Sequence, residues 1–230
     1  MTRFVNWLGI ELVEVSAVEK LIATLGGGLS ILVLMTLSRC VLSDTGAAAV
    51  VASMGASAVL LFAVPHGQLS QPWPVIGGHG VSAAIGVVCA RFIAEPHVAA
   101  ACAVGLAIGA MHQLKCIHPP GGATAFTAVM GGNAIHQLGY RFIAFPVLAN
   151  AIAMVLLAVL INCAFRWRRY PAIFSRPSQK PLPEAPGEAS PPTHAEIIVA
   201  LKSIDSFVDI TEEDLLRLVE VLSHRTRRSL

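Results

Sequence analysis

No Asp, Glu, Lys or Arg occurs between Asp44 and Arg91, from Pro96 to Leu114, from Cys116 to Tyr140, or from Phe142 to Phe165. Soluble domains do not carry such stretches, because about a quarter of their residues are charged. Uncharged apolar runs of about 18 residues or more are long enough to cross a bilayer as helices. Only 13% of the 230 residues are charged and 55% are hydrophobic, with a mean hydropathy of +0.68. The pattern predicts an all-α, polytopic membrane protein. The net charge of +2 carries no nucleic-acid signal. The basic residues sit at the ends of apolar runs, as at Arg166, Arg168 and Arg169, where membrane anchoring explains them.

Five long apolar segments cover about 20–38, 45–64, 76–94, 97–114 and 141–165. A sixth, 120–136, is shorter and glycine-rich, and either spans or re-enters, so the expectation is five or six transmembrane helices. Around this domain (20–169) the chain divides into a 1–19 interfacial helix carrying Trp7, a Pro-rich linker over 170–193, and a cytoplasmic helical hairpin over 194–230. Such a hairpin is too small for its own core and is expected to dock on a partner, a second protomer or the membrane domain. Glu11, Glu14 and Glu19 argue against a transit peptide, and no signal-peptide core precedes them. A bacterial inner membrane, with the C-terminus cytoplasmic, is the expected location. The five cysteines lack CxxC spacing, and there is no HExxH or GxSxG motif. No metal, cofactor or enzymatic activity is expected.

A shift of 76 residues superposes 35–55 on 111–131 and pairs Met35 with Met111, Cys40 with Cys116, Gly46 with Gly122, Met54 with Met130 and Gly55 with Gly131. We read two three-element units, roughly 20–94 and 97–165. Three crossings per unit would invert one copy relative to the other, a transporter arrangement with its site near the midplane.

The densest chemical signal is His118-Pro119-Pro120-Gly121-Gly122-Ala123-Thr124. Two prolines cannot continue a helix but can open one. Inside a bilayer, such a start would offer free N–H groups and a positive dipole end to an anion. Thr124 adds a hydroxyl, and His118 can exchange a proton. The repeat aligns Ser43-Asp44-Thr45-Gly46 with the break, so Asp44, Thr45 and Gly46 are the expected second helix start at the same site. The plainer readings are an interfacial turn at His118 and a capping Asp44 bonded to backbone or to Arg39. Asn133 and His136 read as a polar helix end, while His112 could face the path. Gly105 and Gly109 form a GxxxG packing face, which points to a homo-oligomer.

The HPPGGAT string at 118–124 resembles the signature of the HPP family of integral membrane proteins. Gly55-Ala56-Ser57-Ala58-Val59-Leu60-Leu61-Phe62, Gln71-Pro72 and Ile76-Gly77-Gly78-His79 resemble the family's other motifs. The likeness covers about 20–165. Family members are described with about four spans, fewer than the number expected here. The resemblance adds Ser57 and His79 to the candidate substrate-binding residues and implies nitrite transport, as in plastid and cyanobacterial relatives. The leading functional expectation is therefore a transporter or channel for a small inorganic anion. The alternative is a membrane scaffold or sensor whose cytoplasmic tail binds a partner.

Overall fold

A computed structural model describes residues 15–174, of which 20–174 belong to one compact unit. The expected interfacial helix up to residue 14, most of the linker and the C-terminal hairpin lie outside the described residues. Among the described residues the chain is helical and contains no strand. Helices are α1 (Ala17–Arg39), α2 (Asp44–Ala63), α3 (Pro72–Phe92), α4 (Pro96–Gln113), α5 (Pro119–Met130), a single turn α6 (Asn133–His136) and α7 (Ala149–Cys163). A π-helical stretch, Ile143–Leu148, leads into α7 and is kinked at Phe145 (φ −136°, ψ 125°) beside Pro146. The last apolar segment is thus broken near its start, where proline removes a backbone donor.

Among the described residues, four helical segments are long and apolar enough to cross a membrane: Ala17–Arg39, Asp44–Ala63, Pro72–Phe92 and Ile143–Cys163. The expected segment 97–114 forms α4, which falls outside that set. The sixth segment forms only the 12-residue α5 and the turn α6. Apolar side chains point outward as a lipid-facing surface requires. Leu21, Leu25, Leu29 and Leu32 recur on one face of α1 and are half or more exposed, as are Leu156 and Leu160 on α7.

The interior is built on small residues. One core joins Leu34 of α1, Val50, Met54 and Leu61 of α2, and Met154 of α7. A second packs Ala99, Ala103 and Ala107 of α4 against Cys89 of α3 and Ala125 of α5. The α3–α5 crossing is close. A Cβ on Gly78 would lie 2.6 Å from the His118 Cβ, and one on Gly86 would lie 2.7 Å from the Ala125 carbonyl oxygen. By contrast, Cβ atoms on Gly105 and Gly109 would meet nothing within 4 Å. Among the described residues, nothing packs on the GxxxG face of α4.

Local sequence sets the helix ends. Glu95 caps α4 by accepting from the Val98 N–H (2.7 Å), and Pro96 opens it. That bond holds the Glu95 carboxyl below the usual range, with a smaller opposing effect of desolvation. Pro72 likewise opens α3, so α3 starts four residues before the expected apolar segment. At the end of α4, Lys115 N–H donates to the His112 carbonyl and Cys116 N–H to the Met111 carbonyl. This is a Schellman stop with Lys115 in the left-handed position (φ 53°) that glycine normally takes.

Two ends of the bundle follow from long-range bonds. At one, which we call the loop end, Trp73 Nε1 donates to Leu114 O (3.1 Å), Asn162 Nδ2 to Leu61 O (3.1 Å) and Tyr170 Oη to Ser70 O (2.8 Å). The buried Arg168 donates to Phe62 O and to Asn162 Oδ1. Burial pulls its guanidinium down to about 10. At the other end, Arg39 pairs with Asp44 (2.7 Å) and the Arg91 guanidinium lies 5.0 Å from the Tyr140 ring centre.

Candidate functional site

Ser57 sits six residues before the end of α2, and His79 lies seven residues into α3. His118 is the last residue before α5, and Thr124 is six residues further on. The α3–α5 crossing and the antiparallel packing of α5 on α2 bring all four together. The Ser57 hydroxyl lies 2.8 Å from Nε2 of His79 and 2.8 Å from Nε2 of His118. Nδ1 of His79 lies 2.7 Å from the Thr124 hydroxyl, which is 3.1 Å from the Ser53 hydroxyl. Ser53 donates to Val50 O (2.9 Å). At the loop end, Nδ1 of His118 lies 2.9 Å from the carbonyl oxygen of Leu69. The two imidazoles meet edge to face. Ser57, His79 and His118 are completely buried, and Ser53 and Thr124 are 2% exposed.

The carbonyl ends fix the tautomers. Leu69 O can only accept, so Nδ1 of His118 carries a hydrogen and, in the neutral ring, Nε2 accepts from Ser57. Ser57 has then spent its one hydrogen and must accept from Nε2–H of His79. In a neutral His79 the Nδ1 lone pair faces Thr124. Burying five polar side chains among helices is costly unless each is bonded, and here each is.

The break itself differs from its expected use. Pro119 and Pro120 have no N–H, and the Gly121 N–H donates to His118 O (2.8 Å). Most of the donors that would make this helix start an anion cradle are thus missing or used. Gly121 serves packing instead: a Cβ there would lie 2.8 Å from the Ser82 hydroxyl and 3.0 Å from Gly78 O. Gly122 has room, with Val104 at 4.0 Å.

Asp44, Thr45 and Gly46 do not join the cluster. Asp44 is exposed and pairs with Arg39, Thr45 is exposed, and Gly46 packs near Ala134. Thirteen residues separate Asp44 from Ser57 on one helix, about 20 Å at ~1.5 Å per residue. Sequence reading missed Ser53 and the Leu69 carbonyl. Ser53 was legible as the residue one turn before Ser57 on the same helix face.

Toward the other end, a recess of about 160 Å³ is lined by Arg91, His136, Val87 and Ala128, among others. Ala128 is one turn beyond Thr124 on α5, and Val87 is two turns beyond His79 on α3. His136 Nε2 donates to Val129 O (2.7 Å).

Comparison with known proteins matches residues 13–171 to the family described as HPP, transmembrane region. Two transmembrane proteins of Dictyostelium discoideum are similar. One is 37% identical over 177 residues, which is 74% of this chain and 57% of the relative. The other is 42% identical over 125 residues, which is 53% of this chain and 44% of the relative. The chain spans about half the length of these curated relatives. No solved structure matches it. With its multi-pass helical architecture and a match across most of its length, this chain belongs to the HPP family of transmembrane proteins.

Proposed function

We propose that the protein transports a small inorganic anion across the membrane, nitrite being the first candidate because of the family resemblance, and that Ser57, His79, His118 and Thr124 form its central site. The observation that carries this reading is the buried histidine–hydroxyl cluster. Ionisable and polar groups among membrane-crossing helices are expensive and mark solute or proton pathways. No Asp, Glu, Lys or Arg hydrogen-bonds to either ring among the described residues, whereas a cation path would call for acidic rings or carbonyl cages. The Arg91–His136 recess supplies a positively charged approach on the Thr124 side. The matching helix breaks at 40–43 and 114–118 support an inverted-repeat origin for the two halves. A bacterial inner membrane, with the C-terminus in the cytoplasm, fits the basic residues gathered at the loop end.

The test is uptake by proteoliposomes containing the purified protein, with nitrite, nitrate, formate and chloride offered separately. Saturable uptake of one anion above empty vesicles supports the reading. Uptake of none, by folded protein, contradicts it.

A further inference from the structure

The buried network can be counted hydrogen by hydrogen. It runs from Leu69 O through His118, Ser57, His79, Thr124 and Ser53 to Val50 O. Both ends are carbonyl oxygens, which only accept. Five side chains between two acceptors make six gaps. With both histidines neutral, those five side chains hold one hydrogen each along the line, so one gap lacks a hydrogen. It falls at Thr124, whose single hydroxyl hydrogen cannot serve both His79 Nδ1 at 2.7 Å and Ser53 at 3.1 Å. Ser53 cannot fill the gap without releasing Val50 O. One added proton on the imidazole pair fills the sixth gap. His79 Nδ1–H then donates to Thr124, and the Thr124 hydroxyl turns to donate to Ser53. A second added proton would have no acceptor and would place two cations on rings whose centres are 4.9 Å apart.

We propose that this chain of side chains is a one-proton site, and that the proton crosses together with the transported anion. The proposal rests on the anion-transport reading for its second half only. Within the site the proton moves through Ser57. The Nε2–H bond of His79 breaks as a Ser57 Oγ–H bond forms, while the original Ser57 hydrogen passes to His118 Nε2. The positive charge shifts from one ring to the other, and Ser57 ends as it began. The proton comes from water and returns to water, so no redox step is involved.

The surroundings explain why the anion is needed. Among the described residues, the groups bonded to the rings are Ser57 of α2, Thr124 of α5 and the Leu69 carbonyl, with Ser53 of α2 beyond Thr124. None is a carboxylate, so an imidazolium here is a buried charge without a counter-ion, which desolvation opposes. A small anion alongside supplies the counter-charge. Proton and anion therefore favour each other's binding, as linkage requires.

The experiment loads the full chain into proteoliposomes with an internal pH dye and follows nitrite entry and internal acidification in the same vesicles. Ser57→Ala removes the bridging hydroxyl, Ser57→Thr keeps it, and both are checked for native size-exclusion profile and melting temperature. Expected are one proton per nitrite in the wild type, proton entry slowed at least about tenfold in Ser57→Ala, and recovery in Ser57→Thr. Nitrite entry without proton entry overturns the one-proton coupling and leaves the transport reading standing. Proton entry that needs Ser57, without entry of any tested anion, supports the proton site and overturns the transport reading. Absence of both overturns both. Because Ser57→Ala could misfold, ¹⁵N-histidine spectra of the wild type give an independent check. In titrations from about pH 8 downward with nitrite present, one of the two coupled rings should gain a proton. Protonation of both rings contradicts the count.

Discussion

The rings of His79 and His118 meet edge to face, with centres 4.9 Å apart and planes inclined by 66°. One hydroxyl, that of Ser57, lies within hydrogen-bond reach of both. Each histidine is held from its far side by a different partner, Thr124 for His79 and the Leu69 carbonyl for His118. The pair is thereby tied to α2, α3, α5 and the loop before α3, so disturbance of any of these should be read at the cluster.

Thr124→Val keeps shape but removes the hydroxyl from His79 Nδ1 and from Ser53. Leaving a buried polar atom unpaired costs about 1–3 kcal/mol. Thermal unfolding should show that loss, and transport should fall with it, while Thr124→Ser should retain most of both. Equal behaviour of the two variants would contradict the role given to the hydroxyl.

The glycines of the motif and of the α3–α5 crossing should separate. Gly121→Ala drives a methyl into Ser82 and Gly78, and Gly86→Ala drives one into the Ala125 carbonyl. Overpacking of this kind costs about 1–3 kcal/mol. Gly122→Ala meets only Val104 at 4.0 Å and should unfold like the wild type. Detergent melting curves of the three variants decide the matter.

Lys115 occupies a left-handed position that favours glycine. Lys115→Gly should be neutral or stabilising. Lys115→Val should destabilise the α4–α5 connection by about 1–2 kcal/mol. A Lys115→Val protein as stable as the wild type would show that the Schellman stop is not maintained.

Arg168→Leu removes the donors to Phe62 O and Asn162 Oδ1 at the loop end. Hydrogen bonds from a charged donor are worth about 2 kcal/mol. Arg168→Lys should recover only part, since an ammonium lacks the planar fork. Denaturant or thermal melts of both variants give the comparison.

Acid should weaken the start of α4. The Glu95 carboxyl is held low by the Val98 N–H, so its contribution is present above the unfolded carboxylate pKa and is lost as pH falls through the lower folded value. Glu95→Gln should melt below the wild type near neutral pH. The gap should close as pH falls below about 4.

Much of this was legible in the chain. Charge-free runs marked the apolar helices, although four of those described, rather than the expected five or six, are long and apolar enough to cross a membrane, and Pro119 marked the start of α5. The composition of the cluster was largely legible too, since Ser57, His79, His118 and Thr124 were all candidates. Their meeting was not, because it depends on the register of α2 against α3 and α5, set by close approaches at Gly78, Gly86 and Gly121. The repeat made Asp44, Thr45 and Gly46 look equivalent to the HPP break. Sequence equivalence does not place two helix starts at the same depth, and Asp44 lies at the bundle end opposite the loop before α3. The two prolines were read as exposing donors, yet they contribute none.

The most direct measurement is nitrite uptake by proteoliposomes containing wild-type protein or His118→Ala, beside empty vesicles, with both proteins shown to be folded and inserted. A transport site at the cluster requires saturable uptake in the wild type and its loss in the variant. Uptake equal in the two, or absent from both, would contradict it.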